Sequence, residues 1–181
     1  NSLQEAIRIS QLLNYLPGQA TAKIYEGQAF YFLNKFYDAR ESFNFAFANK
    51  DVLLDSVHLA NLFGLAGDNY DKLGLIDSAL ICHNQAFIIR KISGQRLRSA
   101  LSLTDIGLIY WRQGNFKKSI NYFQEALEIR MNAGDSVKIA SSLNNLGAAY
   151  WRQGVYQKAA EYFIKSLEIR EKLNDISGMS I

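Results

Sequence analysis

A forty-residue period constrains this chain more than any other feature. The string Gly107-Leu-Ile-Tyr110-Trp111-Arg112-Gln113-Gly114 returns as Gly147-Ala-Ala-Tyr150-Trp151-Arg152-Gln153-Gly154. Residues 97–136 laid over 137–176 give 17 identities in 40, among them Leu127-Glu-Ile-Arg130 over Leu167-Glu-Ile-Arg170. Earlier steps of forty find Gly67, Tyr70 and Gly74, then Gly27 and Phe30. A small-residue column runs Ala39, Ala79, Ser119, Ala159, and four residues further on stand Phe43, His83, Phe123 and Phe163. Self-similarity at a fixed period of this length marks stacked supersecondary units that bury a continuous core only together.

Each unit reads as two helices. In 137–153 the apolar positions Val137, Ile139, Ala140, Leu143, Leu146, Gly147 and Tyr150 fall mostly three and four residues apart, as on one helical stripe. Gly154 then offers the left-handed residue that ends a helix cheaply. A second stripe follows from Tyr156 through Ala159, Ala160, Phe163 and Leu167 to Ile169, and Asn174-Asp175 ends it. The pattern predicts helices at 2–14, 19–33, 37–49, 55–73, 76–92, 96–113, 116–132, 136–153 and 156–173. The one proline, Pro17, is expected outside them, in a Leu16-Pro17-Gly18 turn. Glycine inside a helix costs about 1 kcal/mol relative to alanine. Four at one register, Gly27, Gly67, Gly107 and Gly147, therefore need a reason, and close approach of the facing helix supplies one. The Ala39/Ala79/Ser119/Ala159 column is its expected counterpart, with the large Phe43/Phe123/Phe163 column filling the space beside it.

Composition removes most chemistry. A single cysteine, Cys82, excludes an internal disulfide, and two histidines leave no zinc set. Cys82 and His83 are neighbours and point about 100° apart on a helix, so they form no catalytic pair. His83 reads as a core histidine and His58 as exposed near a helix start. Glu125 and Glu128 read as a solvated face, and no phosphate loop or nucleophile elbow is present. No catalytic residue, metal site or cofactor is expected, and the segment is not expected to be an enzyme. No apolar run reaches the roughly 18 residues of a membrane span. The net charge of +3 is too small to argue for nucleic acid. It is uneven, with seven Lys/Arg against nine Asp/Glu in residues 1–90 and thirteen against eight in 91–181.

Leu143-x-x-Leu146-Gly147-x-x-Tyr150 followed by Ala159-x-x-x-Phe163 resembles the tetratricopeptide repeat, most strongly in repeats three and four. The period is forty rather than 34, Leu103 and Leu143 replace the family's opening tryptophan, and its closing proline is missing. Long repeats of this kind, with Asn-Asn-Leu-Gly and a trailing Leu-Glu-Ile-Arg, are similar to those of kinesin light chains, LGN-like adaptors and bacterial sensor and regulator proteins. The resemblance implies an all-α, right-handed superhelical solenoid of antiparallel helix pairs. Residues 1–181 are expected to form one array, with repeats at about 15–54, 55–94, 95–134 and 135–174. Residues 2–14 look like the second helix of a preceding repeat and 175–181 like the start of a further one, so the chain reads as a piece of a longer protein. Repeat one matches least well, because Lys23 and Glu26 stand in columns that are apolar elsewhere.

A solenoid of helix pairs presents the first helix of each pair on its concave face. In repeat four the glycine register leaves Ser141, Asn144, Asn145, Ala148, Trp151 and Arg152 for that side. Repeat three offers Leu101, Thr104, Asp105, Leu108, Trp111 and Arg112, and repeat two includes Lys72. Amides such as Asn144 and Asn145 donate and accept, which suits a peptide backbone. Trp111 and Trp151 read either as apolar anchors for a ligand or as packing between repeats. Arg112 and Arg152 offer bidentate contacts to carboxylates. In the resembling family asparagine in the Asn145 column commonly holds a bound peptide's backbone. The basic set of a chaperone-tail clamp is absent at the matching places.

The expected function is therefore a scaffold that binds a protein or peptide. The alternative is a sensory or regulatory segment of a bacterial histidine kinase or transcription regulator, and a third reading is self-association through uncapped ends. A cytoplasmic location comes first, with a periplasmic sensor segment as the alternative.

Overall fold

The computed structural model describes residues 2–53 and 55–173. Among these, nine α-helices follow one another: α1 Ser2–Leu12, α2 Leu16–Phe32, α3 Phe36–Ala48, α4 Ser56–Lys72, α5 Ile76–Ile92, α6 Arg96–Arg112, α7 Phe116–Ala133, α8 Ser136–Arg152 and α9 Tyr156–Lys172. A 3-10 turn, Lys50–Val52, follows α3. Successive helices are antiparallel and form pairs, α2/α3, α4/α5, α6/α7 and α8/α9. The expected end of α9 at Asn174-Asp175 and the expected further helix at 175–181 lie outside the described residues.

The turns reveal a shorter period inside the longer one. Asn14, Asn34, Gly74, Gly94, Gly114, Gly134 and Gly154 all have φ between 49° and 83°, and they stand twenty residues apart except across register 54. Each occupies the left-handed position that lets a carbonyl-rich helix end turn back, a conformation that only glycine, and to a lesser extent asparagine, adopts at low cost. In the pairs α4/α5 and α6/α7 both helices thus end by the same device. Ahead of that register α3 stops early, at Ala48.

Pro17 departs from the expectation of a turn outside the helices. It lies in the first turn of α2, which begins at Leu16. The first backbone N–H groups of a helix have no intrahelical acceptor, so a proline there sacrifices nothing and its fixed φ favours the helical start. α1 is also shorter than expected, because Asn14 takes the left-handed turn.

The helices gather into two compact units, residues 1–94 and 95–181. In the first, Ala20, Ile24, Ala39, Phe43, Ala46, Leu62 and Ala66 are buried together. Lys23 and Glu26, the misfits of repeat one, pair with each other, and Ser42 Oγ donates to Glu26 Oε2 at 2.8 Å, so the intruding charges are satisfied locally. In the second unit Ile120, Phe123, Leu146 and Ala149 form the buried cluster. Each of its pairs is also joined by a stacked tyrosine couple, Tyr110 with Tyr122 and Tyr150 with Tyr162, with ring centroids 5.6 and 5.4 Å apart.

The glycine column works differently from the expected small-against-small contact. The aromatic ring of the second helix lies directly on the glycine rather than beside it. A Cβ at Gly107 would sit 2.6 Å from Cε1 of Phe123, and one at Gly147 would sit 2.7 Å from Cδ1 of Phe163. The Ala39/Ala79/Ser119/Ala159 column is fully buried and brings the helices close enough for this.

Candidate functional site

In the C-terminal unit α6 and α8 are the first helices of their pairs, and α7 packs against both. Their glycine sides, Leu103, Ile106 and Gly107 on α6 and Leu143, Leu146 and Gly147 on α8, are buried. That rotation leaves Thr104, Asp105, Leu108 and Trp111 of α6 half-buried and Arg112 exposed. On α8 it leaves Asn144, Asn145 and Ala148 half-buried, with Trp151 and Arg152 exposed.

Leu108 and Trp111 of α6, Phe123 of α7, and Asn145 and Ala148 of α8 enclose a pocket of about 190 Å³. The Asn145 amide makes no hydrogen bond to any described residue. The Trp111 indole Nε1 is buried and likewise has no acceptor among them. Arg152 lies over the Trp111 ring, its guanidinium carbon 5.3 Å from the centroid. The two tryptophans therefore differ despite identical local sequence. Trp111 is packed between repeats three and four beneath Arg152, whereas Trp151 is 55% exposed.

Thr104 has a structural task. Its hydroxyl donates to Ala100 O at 2.9 Å and accepts from Arg130 Nη2 at 3.0 Å. Arg130 Nη1 donates to Ser142 Oγ, so this one side chain of α7 ties α6 to α8. It is 3% exposed. Burial works against its charge, and Asp105 and Asp135 favour it. The sequence reading passed over Arg130. A signal existed: arginine recurs at 90, 130 and 170, and across from Arg130 stand the short polar Thr104 and Ser142.

Lys72 is the exposed last residue of α4 and belongs to the N-terminal unit. There Asp68 occupies the register of Leu108 and Ala148. Its carboxyl is pushed up to about 6, first by burial and then by Asp71, while Arg90 and Lys72 oppose the shift. His83, in the phenylalanine column, is buried, and its Nε2 lies 3.8 Å from Asp68 Oδ1. Its ring covers Gly67 as phenylalanine covers the other column glycines. His58 pairs with Asp55 at 3.0 Å near the start of α4. Burial pushes the Cys82 thiol up to about 11.

Residues 96–172, which include both pairs of the C-terminal unit, match the tetratricopeptide repeat family model. Residues 96–172 are tetratricopeptide repeats. RapI in its apo form is similar in structure, with a TM-score of 0.85 over 96% of this chain at 18% identity, and this chain spans 49% of RapI's length. A signal transduction ATPase with numerous domains from Pyrococcus horikoshii, described as having a tetratricopeptide repeat sensor, superposes with a TM-score of 0.84 at 19% identity, over 98% of this chain and 28% of that one. Kinesin-light-chain-like repeats from Podospora anserina give 0.79 at 18% identity, over 96% of this chain and 85% of that one. No curated protein matches the chain in sequence. Tetratricopeptide repeats generally act as protein-binding scaffolds. Among the described residues no helix is long and apolar enough to cross a membrane.

Proposed function

We propose that the face shared by α6 and α8 binds an extended segment of a partner protein, and that the chain acts by binding rather than by catalysis. One observation carries this reading: the Asn145 amide, half-buried and without an internal hydrogen bond, stands at the edge of an open apolar pocket. Partial burial of an amide with nothing to bond costs free energy, and a peptide backbone offers both an acceptor and a donor to offset that cost. Trp151 and Arg152 extend the same side of α8 as an apolar and a cationic contact.

The test is selection of peptides from a displayed random library on the 181-residue chain, followed by titration calorimetry. Asn145→Ala should weaken the selected peptides about tenfold, the loss expected of one hydrogen bond worth about 1.4 kcal/mol. Failure to select any peptide, or equal affinity in the variant, overturns the assignment.

A second reading is favoured by the similarity to the Pyrococcus horikoshii signal transduction ATPase that has a tetratricopeptide repeat sensor. In it, the repeats report occupancy of this face to an output domain of a larger signalling protein. An adjoining reading frame without a kinase, ATPase or DNA-binding domain would refute that version and leave the scaffold standing.

A further inference from the structure

Helix α5 carries an apolar stripe that no described residue of its own unit covers. Ile81, Ile88 and Ile92 are 62%, 45% and 82% exposed. At about 100° per residue they fall within about 40° of one another, on the side of the helix opposite buried Ala79, Ala86 and Arg90. The repeat does not require isoleucine at these registers. Repeat three has Asn121, Glu128 and Asn132 there, and repeat four has Glu161, Glu168 and Lys172. A run of exposed branched apolar side chains on one helix face is the mark of a contact surface.

The polar residues beside the stripe indicate what covers it. Asp77, Asn84 and Lys91 stand seven residues apart along one edge, and all three are exposed. Asp77 and Lys91 form no ion pair with any described residue, and Lys91 lies only over the Phe87 ring, 5.6 Å from its centroid. Asn84 Nδ2 donates to Leu80 O at 2.8 Å, which leaves its second amide hydrogen and its carbonyl oxygen for another contact. An acid first and a base last also suit the helix dipole, but the dipole gives no account of the isoleucines between them. The order acid, amide, base is complementary to its own reverse. Against a second α5 running antiparallel, Asp77 meets Lys91, Asn84 meets Asn84, and Ile81 packs beside Ile88. A parallel pairing would instead set like charges against each other.

We infer that two copies of this chain associate through α5, antiparallel about a two-fold axis at Asn84, with the isoleucine stripe buried between them. The surface uses no residue of the α6/α8 face, so it stands or falls independently of peptide binding.

Sedimentation equilibrium on the 181-residue chain tests it. One helix against one helix is smaller than the roughly 800 Å² per partner of a standard interface, so association should be reversible, with a Kd of about 10–100 µM. The mass should climb from monomer towards dimer between about 1 and 500 µM. Ile81→Glu with Ile88→Glu installs the residues repeat four carries at these registers, and should give a monomer throughout with the helical spectrum retained. Asp77→Lys and Lys91→Asp chains should each self-associate about tenfold more weakly, and an equimolar mixture of the two should recover the original affinity. A monomer at about 500 µM overturns the inference. So does association that survives the double glutamate substitution, or a mixture that binds no better than its components.

Discussion

Alanine at Gly107 tests the reason for the glycine column. The added Cβ would lie 2.6 Å from Cε1 and 2.7 Å from Cδ1 of Phe123, while ordinary contact begins at 3.4 Å, so the ring must retreat by about 0.8 Å. Phe123 is 2% exposed and packs with Ile120, Leu146 and Ala149, which leaves it little room to do so. Forced overpacking of this kind costs about 1–3 kcal/mol, and a rigid surround places Gly107→Ala toward the upper end. Alanine returns about 1 kcal/mol through helix propensity. The expected net loss is therefore about 1–2 kcal/mol in urea unfolding followed by helical circular dichroism. Gly147→Ala provides the internal comparison. Its ring partner, Phe163, is only half-buried and is free to swing aside, so the loss should be under about 1 kcal/mol. Phe123→Leu in the Gly107→Ala background should show a favourable coupling of about 1 kcal/mol in a double-mutant cycle. If Gly107→Ala is neutral or stabilising, the ring contact is not what keeps glycine there and the argument collapses.

Two further outcomes follow from the buried polar groups. Arg130→Ala should cost about 3 kcal/mol, because it removes two hydrogen bonds from a charged donor and opens space between α6, α7 and α8; Arg130→Met should cost clearly less, and equal losses in chemical denaturation would refute this. Asp68 titrates near 6 when folded against an ordinary value of 3.8, so the native state binds the extra proton and stability falls as pH rises from about 4 to about 6. Its side chain is 40% open to water, which keeps that fall below about 1 kcal/mol, and Asp68→Asn should flatten the denaturation midpoint across this interval.

What the amino-acid sequence discloses here depends on how often the chain samples the same environment. The Gly27/Gly67/Gly107/Gly147 column appears four times, and chance agreement in all four is remote, so helix pairing and its register were legible. Pro17 occurs once, and a lone proline is equally consistent with a turn and with a helix's first turn. Only the orientation of the chain around Tyr15 decides between them. The site is harder still, because it depends on neighbours rather than on columns. Trp111 and Trp151 sit in the same string, Tyr-Trp-Arg-Gln-Gly, yet Arg152 covers the first while the second is open. Periodicity cannot distinguish them, since the difference lies in the repeat that follows each. Arg130 shows the opposite failure. Its column was visible, but a basic residue in the last turns of a helix reads by default as solvated and favourable to the helix dipole. Its burial follows from the small Ser142 and the short Thr104 across from it, which leave space for a guanidinium between two helices. At Arg130 a charge that faces short polar side chains on two neighbouring helices is thus a packing signal and not a surface one. By the same reasoning, the one break in the phenylalanine column, His83, and the acid beside it at Asp68 mark repeat two as the place where apolar packing was exchanged for titratable chemistry.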